Sequence, residues 1–219
     1  MSVDSLLLFV TAGLLLNLTP GPDVLYIASN ALRHGARAGI TAAFGITAGC
    51  FVHILAAAVG VSALLAASSM AFAVLKWLGA AYLVYVGMRL FVAQGGAAIK
   101  LVAAPQDSTG ASAHVDYRSV FLRGFGTHAL NPKVALFFLA FVPQFIAPTV
   151  ENKPLAFLLL GLLFNFNGLW VNIGWALAAA WLAQRAGLVQ KSLQVLDRVS
   201  GALFIGFGIK LALTEAPQP

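Results

Sequence analysis

The sequence predicts an all-α integral membrane protein with six transmembrane helices. Hydrophobic residues make up 60% of the 219 residues, charged residues make up 9%, and the mean hydropathy is +0.90. Soluble domains, by contrast, carry roughly a quarter of their residues as charged side chains. The chain also contains apolar runs long enough to span a bilayer, since a spanning helix needs about 20 such residues. These runs are residues 5–31, 38–66, 69–92, 119–146, 154–183 and 196–214.

Several other classes of protein do not fit this composition. The first run follows Met1 and Asp4 without a basic segment or a cleavage site, so we expect a retained span and not a signal peptide. Cys50 is the only cysteine, which excludes a disulfide or a cysteine-based zinc site within one chain. The net charge of +6 does not indicate nucleic-acid binding, because the basic residues form no patch with interleaved aromatic residues.

The basic residues are distributed by loop. Of the 13 lysine and arginine residues, Lys133 lies inside a predicted span. Nine lie at or beside the odd-numbered connections between spans, and three lie on the opposite side of the membrane. The nine are Arg33, Arg37, Arg89, Lys100, Arg118, Arg123, Arg185, Lys191 and Arg198, and the three are Lys76, Lys153 and Lys210. The positive-inside rule therefore predicts a multi-pass protein of the bacterial inner membrane with cytoplasmic odd connections and both termini in the periplasm.

The two halves of the chain share motifs in the same order. Phe9 precedes Pro20 by eleven residues, as Phe121 precedes Pro132, which is an offset of 112. Two further pairs follow at offsets of 119 and 121, namely 49–54 with 168–173 and 84–90 with 205–211. The alternative is that apolar segments resemble one another by composition alone.

A repeat of three spans has a topological consequence. Because three is odd, the second copy enters the membrane in the opposite direction, and this gives two inverted repeats, an arrangement common among transporters. We expect a first repeat at 1–92, a cytoplasmic linker at 93–118, a second repeat at 119–214 and a tail at 215–219.

The first span contains a helix break. Pro20, Gly21 and Pro22 interrupt its apolar stretch, and the two prolines leave the carbonyls of Leu16 and Leu18 without N–H partners. Irregular backbone at membrane depth is tolerated only against protein or a water-filled cavity. Asp23 follows directly and suits the start of a half-helix, where the dipole favours an acid.

The fourth span repeats the break. Asn131 and Pro132 free the carbonyl of His128 and start a second half-helix, predicted at Val134–Ile146. Lys133 lies where the helix dipole repels a cation, so it needs a negative neighbour. That neighbour is Asp23, a substrate carboxylate, or each in turn.

Two alternatives follow from these charges. A zwitterion binds with its carboxylate at Lys133 and the half-helix N-termini and its ammonium at Asp23, or Asp23 and Lys133 form a permanent structural pair.

Other polar residues in the spans are candidates for lining the pathway, or else they form ordinary hydrogen bonds between helices. They are Asn17, His53, Asn165, Asn167 and Asn172. His53 and His128 are also candidate proton carriers.

Two patterns of small residues, Gly35-x-x-x-Gly39 and Gly45-x-x-x-Gly49, predict close helix packing, within one chain or between two.

These motifs resemble the LysE/RhtB family, the lysine exporter and homoserine/threonine efflux family. The resemblance covers nearly the whole chain and rests on a specific set of segments. They are Pro20-Gly21-Pro22, His34-Gly35 with Gly39, Lys76-Trp77-Leu78-Gly79 followed by Tyr82-Leu83, Asn131-Pro132-Lys133, and Pro143-Gln144-Phe145.

The resemblance implies an inner-membrane exporter of amino acids or close derivatives, driven by protons and without a covalent cofactor. Its partners would be an amino acid, protons and the lipid bilayer, with a homo-oligomer left open. Asp23 is the only deep acid, so neutral or hydroxylated substrates are favoured over strongly cationic ones. The alternatives are a nonselective channel, a membrane scaffold or an intramembrane enzyme, although none of the usual catalytic motifs is present.

Overall fold

The structure, a computed structural model, describes residues 3–61, 115–147 and 149–183, with scattered positions between 70 and 88 and between 199 and 209. Every regular element in these ranges is helical, which confirms the predicted all-α class for the described part of the chain. Most residues of the predicted third and sixth spans lie outside the described residues. Most of the predicted linker 93–118 and the whole tail 215–219 lie outside the described residues.

The first two helices meet at a bend. Helix α1 covers Val3–Leu18 and helix α2 covers Pro22–His34, and the two axes differ by 50°. Thr19 makes the last helical hydrogen bond of α1, since its N–H donates to the carbonyl of Leu15 at 2.9 Å and its hydroxyl donates to the same oxygen at 2.6 Å. Pro20, which has no N–H, ends the helix. Pro22 then opens α2 at a first-turn position where no N–H is required.

Helix α3 covers Ala36–Ala56 and continues as a π-helical turn at Ala57–Val61. Gly35 joins α2 to α3 with a φ of 82°, a left-handed value that glycine adopts without steric cost. A side chain at Gly35 would contact nothing within 4 Å. Its role is therefore the turn, and the predicted packing role of Gly35 is wrong.

The second bend lies between helices α4 and α5. Helix α4 covers Tyr117–Ala129 and helix α5 covers Pro132–Leu136, followed by a π-helical turn at Phe137–Phe141 and a 3-10 turn at Val142–Phe145. The bend is 44°. The predicted half-helix Val134–Ile146 corresponds to the helical stretch Pro132–Phe145, whose geometry changes from α to π to 3-10 along its length. Pro143, which has no N–H to donate, lies in the 3-10 turn.

Helix α6 covers Lys153–Ala183, in agreement with the predicted fifth span at 154–183. Within the part of the chain that the structure describes, two helical stretches are long and apolar enough to cross a membrane, Ala36–Gly60 and Lys153–Ala183. Each bent pair passes the same test when its two helices are taken together. Large apolar side chains on these helices are exposed, among them Leu55, Leu159, Phe166 and Trp170. Such surfaces favour contact with lipid over water.

Glycines let α3 approach its neighbours closely. A Cβ at Gly45 would collide with the carbonyl of Phe121, and one at Gly49 would lie 2.5 Å from the carbonyl oxygen of Phe125, both on α4. Gly39 has a similar role, since its Cβ would lie 2.7 Å from the Cβ of Ala31 on α2. These three predicted packing glycines therefore act within one chain.

We expect Gly49→Ala to destabilise the protein, because the added methyl group overlaps the α4 backbone. Overpacking of this kind costs about 1–3 kcal/mol. Gly126→Ala is the matched control on α4, since a Cβ there meets nothing within 4 Å and alanine favours a helix by about 1 kcal/mol. Thermal unfolding in detergent should show a lower melting temperature for Gly49→Ala only. Equal melting temperatures for the two variants would contradict the close α3–α4 contact.

Candidate functional site

Five buried polar residues gather where the two helix breaks meet. We call Asp23, His53, His128, Asn131 and Lys133 the central polar cluster, and none of them is more than 9% exposed. Asp23 lies in the first turn of α2, His53 in the last turn of α3, and His128 in the last turn of α4. Asn131 and Lys133 lie at the start of α5. The breaks thus bring ionisable groups from separate helices into one buried site.

The Asp23 carboxylate is held from the α4–α5 side. Its Oδ2 accepts a hydrogen bond from Nδ2 of Asn131 at 2.7 Å and lies 3.1 Å from Nδ1 of His128. Its Oδ1 is buried and has no hydrogen-bond partner among the described residues. A carboxylate in a low-dielectric interior needs such partners, so the bare Oδ1 is an incomplete part of the site.

The second break is joined to α3 through a main-chain carbonyl. Pro132 has no N–H, and the carbonyl oxygen of His128 accepts instead from Nε2 of His53 at 2.8 Å and from the N–H of Asn131 at 2.9 Å. The two imidazole rings lie 5.7 Å apart in an edge-to-face arrangement. Nε2 of His128 is buried without a partner among the described residues.

Lys133 is held by the first break. Its Nζ donates to the carbonyl oxygens of Leu16, at 3.0 Å, and Thr19, at 3.3 Å. Pro20 deprives the Leu16 carbonyl of a helical partner, and the C-terminal end of α1 carries negative partial charge. This end of α1 is the negative neighbour of Lys133 in the structure. Lys133 and Asp23 are farther apart than the 4.0 Å of a salt bridge, so the permanent pair is absent from this state.

The N-terminus of α2 is open, whereas that of α5 is closed. Asn131 caps α5, because its Oδ1 accepts from the N–H of Lys133 at 3.0 Å. No side chain caps α2, whose N-cap residue is Gly21. A Cβ at Gly21 would lie 3.3 Å from Nζ of Lys133. The uncapped N-terminus of α2 therefore lies next to the lysine ammonium.

The remaining candidate residues lie outside this cluster. Asn17 packs against Gly168 of α6, where an added Cβ would lie 3.2 Å from the amide, and its Nδ2 has no partner among the described residues. Asn165 donates to the carbonyl of Thr47 at 3.2 Å, which joins α6 to α3. Asn172 is buried on α6, and no hydrogen bond among the described residues joins it to the cluster.

The contact between the imidazole of His128 and Asp23 is the main feature of the site that the sequence analysis did not predict. His128 was named only as a candidate proton carrier and as the source of a freed carbonyl. The available signal was an ionisable residue four positions before Pro132. Within the described ranges, His, Cys, Asp and Glu residues form no group of three or more that could hold a metal ion.

Buried ionisable groups at paired helix breaks define a class of protein. Within a membrane-embedded bundle such groups mark substrate or ion pathways, and discontinuous helices are typical of secondary transporters. The fold and the site are thus those of a membrane transport protein.

The family model of the LysE type translocator matches residues 14–215, and the chain belongs to this family. It is therefore a transporter and not an enzyme. A membrane protein of Vibrio cholerae is 30% identical over 99% of this chain and 100% of its own length. A homoserine/homoserine lactone efflux protein of Salmonella typhimurium is 31% identical over 93% of this chain and 94% of its own. A leucine efflux protein of the same species is 26% identical over 95% and 94%. No solved structure gives a significant match.

We expect Asn131→Asp to destabilise the protein strongly at pH 8, because a second carboxylate would face Oδ2 of Asp23. Losing the bond to a buried charge costs about 2 kcal/mol or more, and like-charge repulsion adds to this loss. The effect should shrink as the pH falls, since one proton shared by the two acids restores a hydrogen bond. Melting temperatures of the variant and the wild type at pH 8 and pH 5 provide the measurement.

Asn152→Asp is the matched control for this substitution. Asn152 is also an N-terminal cap, with its Oδ1 accepting from the N–H of Leu155 at 3.0 Å, but it is exposed, so a charge there stays in contact with solvent. An aspartate there suits the start of α6, so its melting temperature should be unchanged or higher. The contact between Asn131 and Asp23 is disproved if both variants behave alike at the two pH values.

Proposed function

We propose that this protein exports amino acids or close derivatives from the cytoplasm in exchange for protons, with neutral or hydroxylated substrates preferred. The names of the two efflux relatives support the substrate class. The central polar cluster supports the position of the binding site. One observation carries the proposal: opposite charges are held in the same buried cluster, and each retains an unused hydrogen-bonding position.

The unused positions match the two ends of a zwitterion. A lysine ammonium has three N–H donors, and Lys133 uses two of them on main-chain carbonyls. The third donor and the uncapped N-terminus of α2 suit a substrate carboxylate. Oδ1 of Asp23, which has no partner among the described residues, suits the α-ammonium. An amino acid backbone would complete both groups at once.

The charge of the cluster favours neutral side chains. Among the described residues Asp23 is the only acid that is buried, and its Oδ2 is already engaged by His128 and Asn131. The α-ammonium would take the remaining oxygen. A lysine-like side chain would then bring a second positive charge without a counter-charge, which is costly inside a membrane protein.

Access to the cluster would come from movement at the two bends. Each proline segment lies between helices that differ in direction, by 50° at the first bend and 44° at the second. Short non-helical segments of this kind can absorb the backbone rotation of a hinge. We propose that opening one bend and then the other exposes the site to opposite sides, as in transporters with inverted repeats.

A packing relation supports the proposed six-span architecture of two inverted three-helix repeats, with the first and fourth spans broken. Gly49 and Gly168 are equivalent positions of the sequence repeat. Gly49 packs on α4, the first half of the proposed fourth span, and Gly168 packs on Asn17 of α1, the first half of the proposed first span. Equivalent glycines thus contact opposite repeats, as an inverted twofold axis requires.

This architecture predicts a definite orientation. Alkaline phosphatase fused after Pro219 should be active because the C-terminus is periplasmic, and a fusion within linker 93–118 should be inactive because the linker is cytoplasmic. Green fluorescent protein at the same two points should give the opposite pattern. Equal reporter activity at the two points would be incompatible with an odd number of spans between them.

We expect Lys133→Ala to weaken uphill transport strongly. Proteoliposomes with an imposed pH gradient would be tested with labelled L-leucine, L-homoserine and L-lysine. A charge-assisted hydrogen bond is worth about 1.5–3 kcal/mol, so the variant should lose roughly 10- to 100-fold in transport efficiency. L-lysine should be the poorest of the three substrates in the wild type.

Lys153→Ala is the control, because it removes a lysine at the start of α6, outside the cluster. It should transport like the wild type. A protonophore should stop uphill movement, which separates an exporter from a channel. Transport by Lys133→Ala with the efficiency of the wild type would remove Lys133 from the site, and failure of every amino acid to move would refute amino acid export itself.

A further inference from the structure

We propose that Asp23 and His128 form one exchange site, at which a proton and the substrate ammonium exclude each other. This inference rests on the proposed function and deepens it, because it names the groups that couple substrate to protons. The pair joins α2 to α4 across the two breaks, with Nδ1 of His128 3.1 Å from Oδ2 of Asp23. It is therefore formed only while the two broken helices stay together.

Both members of the pair have one unused buried atom. Oδ1 of Asp23 and Nε2 of His128 lack hydrogen-bond partners among the described residues, although both side chains are nearly enclosed. Each unpaired buried group destabilises the fold, so a substrate ammonium or a proton that reached these two atoms would add a favourable contact. Two free atoms on either side of one short contact suit a site that receives and releases a cation.

The charges explain the exclusion. With one proton between them the pair carries a net charge of −1, and a second proton converts His128 to an imidazolium and brings the charge to zero. An α-ammonium at Oδ1 of Asp23 has the same neutralising effect. If both were present, two cations would share one carboxylate beside Lys133, in an interior that screens charges weakly. Binding of one ammonium therefore releases one proton from His128.

The groups around the pair leave His128 as the exchanging residue. Lys133, on α5, already donates to two carbonyls, and its positive charge is needed for the substrate carboxylate. His53, on α3, uses its Nε2 on the carbonyl of His128 and so acts as a positioning residue. The other titratable neighbours are Cys50, buried on α3, and Tyr26 of α2, whose hydroxyl donates to the carbonyl of Val120. No charged residue lies between 154 and 183 of α6.

Proton release on binding tests the exchange site. Purified protein in detergent would be titrated with L-leucine or L-homoserine by calorimetry in two buffers of different ionisation enthalpy, from pH 5 to pH 9. The wild type should release about one proton per bound amino acid at acidic pH, and its Kd should rise up to about tenfold per pH unit as the pH falls. At high pH, where the pair carries only one proton, release should vanish.

Two variants assign the effect to the pair. His128→Gln keeps a hydrogen-bonding side chain beside Asp23, so it should bind the amino acid without releasing a proton and with a Kd that no longer depends on pH. Asp23→Asn should also release no proton and should bind at least tenfold more weakly, because the partner of the ammonium is lost. Asp116→Asn and His34→Gln are exposed controls that should behave like the wild type. Gel filtration would establish that each variant is folded.

The outcomes separate this inference from the proposed function. Amino acid binding with no proton release in the wild type, or with release that persists in His128→Gln or in Asp23→Asn, would overturn the exchange site and leave amino acid export standing. Release that shifts in His53→Gln but persists in His128→Gln would likewise overturn it, in favour of His53. If no amino acid binds and none is transported, the proposed function fails together with the inference.

Discussion

The structure depends on hydrogen bonds that each of the two proline breaks makes to polar groups of the other. The first break offers main-chain carbonyls, which accept from Lys133 of the second break. The second break offers His128 and Asn131, which hold Asp23 of the first. A single charge at the centre of a membrane costs about 2.5–3.5 kcal/mol, so neither ionic group would be stable at this depth alone. Each break therefore supplies what the other lacks.

These hydrogen bonds between the two breaks constrain how the other helices pack. His128 reaches Asp23 while its carbonyl is bound by His53, so α3 and α4 must lie very close together. Gly45 and Gly49 make that approach possible, because any side chain there would meet the α4 backbone. In a membrane, where water does not drive helices together, such close backbone contact is a main source of association. The glycines of α3 and the polar cluster are thus parts of one arrangement.

The sequence predicted the positions of the breaks better than their contacts. Proline and glycine act locally, so Pro20, Pro22 and Pro132 predicted where helical hydrogen bonding would fail. The freed carbonyls of Leu16 and His128 do accept side-chain hydrogen bonds. The identity of each donor depends on how helices pack, which local sequence does not determine.

The partners of the two charges illustrate this limit. Lys133 was expected to need a negative neighbour, and main-chain carbonyls turned out to fill that role. His128 was named as a candidate proton carrier, but its contact with Asp23 was not predicted, because that contact depends on how α2 and α4 pack. The half-helix predicted at Val134–Ile146 is present at Pro132–Phe145, but its π-helical and 3-10 turns were not predicted.

Some polar atoms of the cluster have hydrogen-bond partners and others have none among the described residues. This difference argues for a site that binds substrate and protons over one that only stabilises the fold. Both polar atoms of Asn131 form hydrogen bonds, and Lys133 donates to two carbonyls, so these residues stabilise the observed arrangement of the two breaks. Asp23 and His128 each keep one buried atom unpaired. A cluster that served only packing would gain stability by replacing the charged pair with apolar side chains. Charged groups with unused hydrogen-bonding positions are expected where a substrate and a proton bind alternately and supply the missing bonds.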